Sequence, residues 1–310
     1  MKRRQFIAAA MPALAAVATL RPLTSLARAA SQAAPVTTQL ADRLWLITGC
    51  GGNVTVFDSP EGVLLVDGGS AAQSKRLLAE VRRLTGKDRV HTLFNTHWHH
   101  DQTGSNEALG KAGARIIAHE NTRLWLTTDV DSKWEQRVYQ PLPEIAQPNQ
   151  TFYTDGSLQF GGERIDYAYL PQAHTDGDIY VYFRNADVLV AADVAAASAF
   201  PIIDYVTNGW IGGMATATQT LLGLAGEHTR IIAGQGAPLG KAQLNAESAM
   251  LNTMKQRLSK MIAQGKGAEE MIAARPAQEF EAEWGDPALF IRNSYPGMAN
   301  RARDLGVAIV

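Results

Sequence analysis

Asn95-Thr96-His97-Trp98-His99-His100-Asp101-Gln102-Thr103-Gly104 follows an apolar run, Val90, Leu93 and Phe94, that reads as a buried strand. The stretch therefore occupies the loop where that strand ends. Histidines spaced i, i+2, with an acid two residues further on, crowd metal-ligand side chains into one short loop. Neutral imidazole suits zinc, and carboxylate suits the harder side of a zinc, iron or manganese site.

Working outward, residues 44–47, 53–57 and 62–66 read as consecutive strands, with turn chemistry over 58–62. Asp67-Gly68-Gly69-Ser70 closes the third strand, and Ser70 is placed to cap an amphipathic helix holding Leu77, Leu78, Val81 and Leu84. Beyond the histidine loop come a short helix around 106–109 and a strand over 115–118. Residues 120–148 read as irregular to helical and end in a Pro-rich stretch. A second strand-rich half begins near Phe152, with strands at 158–160, 165–170, 179–183 and 188–191. A helix around 216–224 and a strand at 230–233 follow. Leu244, Leu251, Met254, Leu258 and Met261 then recur at helical spacing, which predicts a packing helix and a helical extension from about residue 241. Two strand-then-helix halves predict an α/β chain with two sheets packed face to face and helices outside.

The first residues read as an export leader. Lys2-Arg3-Arg4-Gln5-Phe6-Ile7 is a charged start, 7–20 a short apolar core and Ala27-Arg28-Ala29 a small-x-small cleavage site. The paired arginines resemble a twin-arginine signal, so residues 1–29 are expected to engage the twin-arginine export machinery. The apolar run is shorter than a spanning helix needs. A periplasmic or secreted domain over 30–310, without stable membrane anchoring after cleavage, is the expectation. The leader carries five basic residues and no acid, so removing it from a chain of 29 Lys+Arg and 30 Asp+Glu leaves a net charge of −6. No basic run remains, which argues against a nucleic-acid partner. Cys50 is the sole cysteine: no intrachain disulfide can form, and its glycine neighbours suggest a turn rather than a reactive thiol.

Later segments supply more donors, each at the end of a predicted strand. They are His174 in Pro171-Gln172-Ala173-His174-Thr175-Asp176-Gly177-Asp178, Asp193 after Ala191-Ala192, and Gln235 in Ala233-Gly234-Gln235-Gly236. Together with Asp67-Gly68-Gly69 and the order His-x-His-x-Asp, this ordered set resembles the metallo-β-lactamase superfamily over roughly residues 40–240. The resemblance implies the αββα four-layer sandwich, with two mixed sheets. It also implies a metal site of His97, His99 and His174, with Asp193 as a shared acid. Three imidazoles leave a fourth position open, the layout of a catalytic rather than a closed structural zinc.

Where the family usually carries imidazoles for a second metal beside Asp101 and Asp193, this chain has Gln102 and Gln235. A glutamine carbonyl is a poorer partner for zinc than imidazole. The expectation is one tightly held zinc, with iron or manganese as alternatives and a weak second site at Asp101, Gln102 and Gln235. The implied activity is hydrolysis of an ester, thioester, lactone or lactam in a small-molecule substrate, with Asp101 as general base. Two other readings stay open: a mononuclear iron oxidoreductase acting on persulfides through His97, His174 and Asp193, and a ligand-binding member without turnover. Asp176 and Asp178 could orient the His174 ring, and Trp125, Trp134, Tyr139 and Trp210 could wall a pocket. His100 is read as a non-ligand.

Overall fold

Alternation along β4 (Gly62–Val66) shows how the layers arise. Val63 and Leu65 face one apolar cluster, whereas Leu64 and Val66 face another. β12 (Ile179–Phe183) and β13 (Val188–Ala192) divide in the same way, as period-2 geometry requires of strands buried on both faces. The computed structural model describes residues 34–196 and 199–304, and the leader read at 1–29 lies outside them.

The first sheet has seven strands in the order β1-β2-β3-β4-β5-β6-β9. They are β1 (Val36–Ala41), β2 (Leu44–Cys50), β3 (Gly52–Ser59), β4, β5 (Val90–Phe94), β6 (Arg115–His119) and β9 (Gln150–Phe152). It is antiparallel up to β4 and parallel from β4 onward. The second sheet has five strands, β10 (Asp155–Phe160), β11 (Glu163–Tyr169), β12, β13 and β14 (Arg230–Ala233), antiparallel except for the β13–β14 pair. Leu44, Phe57, Leu64 and Phe94 of the first sheet share one core with Ile165, Val181, Phe183 and Val190 of the second. Each such side chain contributes about 1.5–3 kcal/mol on burial.

Helix α1 (Ser74–Thr85) covers the outer face of the first sheet with Leu77 and Val81, joined by Leu109 of α2 (Asn106–Lys111). α4 (Ile211–Leu224) and α5 (Lys241–Ala263) cover the outer face of the second, after the short α3 (Glu120–Leu126). α6 (Ala268–Ala273), α7 (Glu281–Trp284) and α8 (Ala288–Asp304) thicken that layer with Met271, Trp284, Phe290 and Met298. This is the four-layer αββα sandwich. No described helix is long and apolar enough to cross a membrane.

Several sequence expectations need correction. Ser70 makes no capping bond; a 3-10 turn over Ala71–Gln73 leads into α1 instead. The strand at Phe152 pairs with β6 and belongs to the first sheet, so the second half starts at β10. Helix α4 begins at Ile211, five residues before the expected start. Within 120–148 lies an unforeseen hairpin, β7 (Val130–Ser132) against β8 (Arg137–Tyr139). Its strands carry too few residues for an alternation signal to stand out.

Candidate metal centre

Parallel strands deliver the site. β4, β5, β13 and β14 each end at one edge of the sandwich, where open α/β sheets place their ligands. β5 runs into His97 and His99, β13 into Asp193, and the loop from β11 to β12 carries His174. The β13–β14 register shifts between Val190 and Ala192, and Ala192 sits at φ 46. That bulge and left-handed residue re-aim the chain immediately before Asp193. Gly234 clears its path: a Cβ there would lie 1.7 Å from Asp193 Oδ1.

His97, His99, His174 and Asp193 each point one ligand atom at a common centre, all within 4.8 Å of one another. His97 Nε2 lies 3.3 Å and His174 Nε2 3.6 Å from Asp193 Oδ2. The three imidazoles meet at nearly right angles, with centroids 4.7–4.8 Å apart.

The outward nitrogens decide which atoms face in. Thr96 Oγ1 donates to Asp67 at 2.8 Å, so it accepts from His97 Nδ1 at 3.1 Å. His174 Nδ1 donates to the Ile202 carbonyl at 2.8 Å. His99 Nε2 donates to Asp204 Oδ2 at 3.1 Å. Each ring thus spends its N–H outward and turns a lone pair inward: Nε2 of His97, Nε2 of His174 and Nδ1 of His99. His174 Nε2 and His99 Nδ1 then face each other across 3.1 Å as two acceptors, and His97 Nε2 is buried without a hydrogen-bond partner among the described residues. A cation at the centre satisfies all of them, so the donor set fits a metal ion.

At His174 burial opposes charge but Asp193 and its neighbours raise the imidazole, whereas His99 and the two carboxylates agree with that fit. Burial holds the His99 imidazole below its ordinary range despite Asp204, which favours the neutral, ligating form. Burial works against charge on Asp193, yet the His97 contact and the nearby imidazoles outweigh it and hold the carboxyl far below the usual range. Asp204 behaves alike: burial opposes its charge, but His99 and the Thr207 hydroxyl bring it down to about 2.

Asp204 escaped the sequence reading. It accepts from His99, from Thr207 Oγ1 at 2.7 Å and from Trp134 Nε1 at 3.3 Å on the β7–β8 hairpin. Trp98 Nε1 donates to Thr207 in turn. An acid in an apolar loop, Phe200-Pro201-Ile202-Ile203-Asp204, was the available signal. Asp176 and Asp178 make no hydrogen bond to His174 and belong instead to a hydrogen-bonded turn. Asp178 is bound to Thr175 N and Oγ1, and Asp176 to Trp125 Nε1 and Asn208. His100 stands outside the centre with its ring against Tyr139. Trp210 stacks under the Arg301 guanidinium at 4.0 Å, away from the metal group. Cys50 is buried between Gly49 and Gly51, both at positive φ, and burial raises its thiol.

Asp101, Gln102 and Gln235 lie beside the centre but do not converge on it. Gln102 is buried with its side chain against Gly52, where an added Cβ would come within 2.1 Å of Oε1; its Nε2 reaches Gly234 O at 3.5 Å. Gln235 is exposed and donates from Nε2 to Asp101 Oδ2 at 3.3 Å. Asp101, Asp193 and Gln235 share the wall of a cavity of about 550 Å³ that opens beside the four-residue group.

A family model described as metallo-beta-lactamase superfamily matches residues 47–242. A metallo-beta-lactamase type 2 from Bacillus cereus is 22% identical over 206 residues, which span 64% of this chain and 75% of the relative. The alpha subunit of 2,4-dinitroanisole O-demethylase from Nocardioides sp. (strain JS1661) is 27% identical over 188 residues, 59% of this chain and 52% of that protein. Among solved structures, a metallo-beta-lactamase from Pontibacter korlensis superposes with a TM-score of 0.57 at 19% identity, covering 70% of this chain and 99% of that one. A stereoselective inverting sec-alkylsulfatase from Pseudomonas sp. gives 0.66 at 16% identity, covering 88% and 51%. Both structural likenesses concern the fold.

Proposed function

The chain belongs to the metallo-beta-lactamase superfamily, and from that premise we propose that it is a metal-dependent hydrolase of an ester, thioester, lactone or lactam carbonyl. One observation carries the reading: three inward lone pairs and a carboxylate converge at the mouth of a cavity of about 550 Å³. Relatives named for a lactam, a methyl ether and an alkyl sulfate suggest that the cleft, not the fold, selects the bond.

His97, His99, His174 and Asp193 would hold the ion, zinc being the best match to this donor set. When bound, such an ion polarises a carbonyl and acidifies water. The rest falls to the protein. Asp67, Thr96, Ile202 and Asp204 fix the three rings so that no reorganisation accompanies the reaction. Asp101 reaches the cleft wall as a proton acceptor and is oriented by the Gln235 amide.

The resemblance would put second-site imidazoles at Gln102 and Gln235; neither side chain converges on the centre, which supports one tightly held metal. The leader pattern at 1–29 supports twin-arginine export, which would place the mature chain in the periplasm or outside the cell.

Elemental analysis of purified protein, combined with turnover of a panel of 4-nitrophenyl esters, lactones and a β-lactam, tests the reading. The expected result is about one equivalent of metal, with ester or lactone hydrolysis lost on chelation. Absence of metal, or turnover indifferent to its removal, would overturn it.

A further inference from the structure

We infer that the cleft selects an uncharged, largely aliphatic acyl substrate and turns anionic ones away; the inference rests on the hydrolase reading above. The wall beside the metal group is built from Ala195, Ala196, Phe200, Ile202, Pro238 and Leu239. Its polar members are Asp101, Asp193, Gln235 and Gln243, and no lysine or arginine lines it among the described residues.

With the ion's charge directed at the scissile carbonyl, the side-chain charges decide how the remote acyl end is received. Asp193 belongs to the ligand group, so Asp101 remains as a carboxylate facing the substrate space. Gln235 gives Asp101 an amide donor but no charge. Gln243, also on the wall, spends its Oε1 on the Gly240 N–H that opens α5, at 2.8 Å. A substrate carboxylate or sulfate entering here would trade hydration for a neighbouring carboxylate with no cationic side chain in compensation. Juxtaposed like charges disfavour binding and select against the wrong partner. An aliphatic acyl chain loses nothing by the exchange and buries its surface on the alanines, Phe200 and Ile202. The cavity, at about 550 Å³, is of a size to enclose a medium-sized substrate.

The experiment compares a pair distinguished by one remote carboxylate, with the uncatalysed hydrolysis of each ester subtracted. 4-Nitrophenyl butyrate and mono-4-nitrophenyl glutarate are assayed with the metal-loaded full chain, and their anilide analogues are titrated calorimetrically. The neutral ester is expected to lead in kcat/KM by about tenfold or more, and the neutral anilide to bind correspondingly tighter. Ala237→Lys, an exposed wall position, should narrow both gaps by favouring the anion; Gln243→Lys repeats the test at a second exposed wall position. Equal or better use of the glutarate ester, binding of neither anilide, or gaps unmoved by both lysines would overturn the inference. If neither ester turns over while the neutral anilide still binds preferentially, the hydrolase reading fails and the inference about the cleft stands.

Discussion

The two sides of the cleft obey different rules. On the imidazole side every ring is anchored by an acceptor behind it: Thr96 on Asp67, the Ile202 carbonyl, and Asp204. On the glutamine side, Gln102 is buried against Gly52 with its oxygen unpartnered, and Gln235 reaches into solvent toward Asp101. Three anchored imidazoles beside a carboxylate make a site; Asp101 and Gln235 make only part of a wall. Nearness to the centre is therefore a weaker criterion than a fixed lone-pair direction.

The largest test removes the anchored side itself. His97→Ala or His174→Ala should empty the centre and abolish turnover, a loss beyond the roughly 10–100-fold that an outer partner commands. Elemental analysis and kcat/KM read it out, and a full metal complement in either variant would break the contrast between the sides. The reverse experiment equips the other side: Gln102→His with Gln235→His should add a second equivalent of zinc, each single change much less. A folded double variant still holding one equivalent would show that loop shape, not ligand type, separates the sides.

Asp204→Ala sharpens the comparison by stripping an anchor while leaving all four ligands in place. Metal affinity should fall by about 10–100-fold, with Asp204→Asn losing less because its amide oxygen still accepts from His99 Nε2. Competition with a chelator measures both. The smallest effect belongs to His100→Ala: its ring rests on Tyr139, so metal content should not change, and depletion would mean that the histidine register is different.

Much of this was legible in the chain. Strands buried on both faces advertise themselves as apolar runs, and the ligand loops sit at strand ends where one motif follows another in order. The anchors were harder to read. Asp204 meets His99 across 105 residues, and Trp134 reaches Asp204 from a hairpin of three-residue strands, so neither belongs to a local pattern. The extension beyond α5 was foreseen only as helical. Glycines at 267 and 285 divide it into α6, α7 and α8, whose apolar residues join the cluster outside the second sheet. Glu247 did leave a trace, as a charged residue in the apolar stripe of Leu244, Leu251, Met254 and Leu258.

That carboxyl is wholly buried in α5, where Oε2 accepts from the Ala196 N–H at 2.9 Å and Oε1 has no partner among the described residues. Burial pushes it up to about 8, with the Ala196 bond only partly opposing. Below pH 4.5, the ordinary value, the folded and unfolded chains both carry the proton. Between there and about 8 the unfolded chain gives it up first, so unfolding releases a proton and stability declines as pH rises, flattening only above that range. The span amounts to on the order of a few kcal/mol. Glu247→Gln keeps an oxygen for Ala196 and should flatten this slope, giving a higher Tm than the parent at pH 8 and little difference at pH 5, as calorimetry in matched buffers would record. A single carboxyl packed behind Ala196 of the cleft wall thus contributes a slope that favours the fold in mild acid over neutrality.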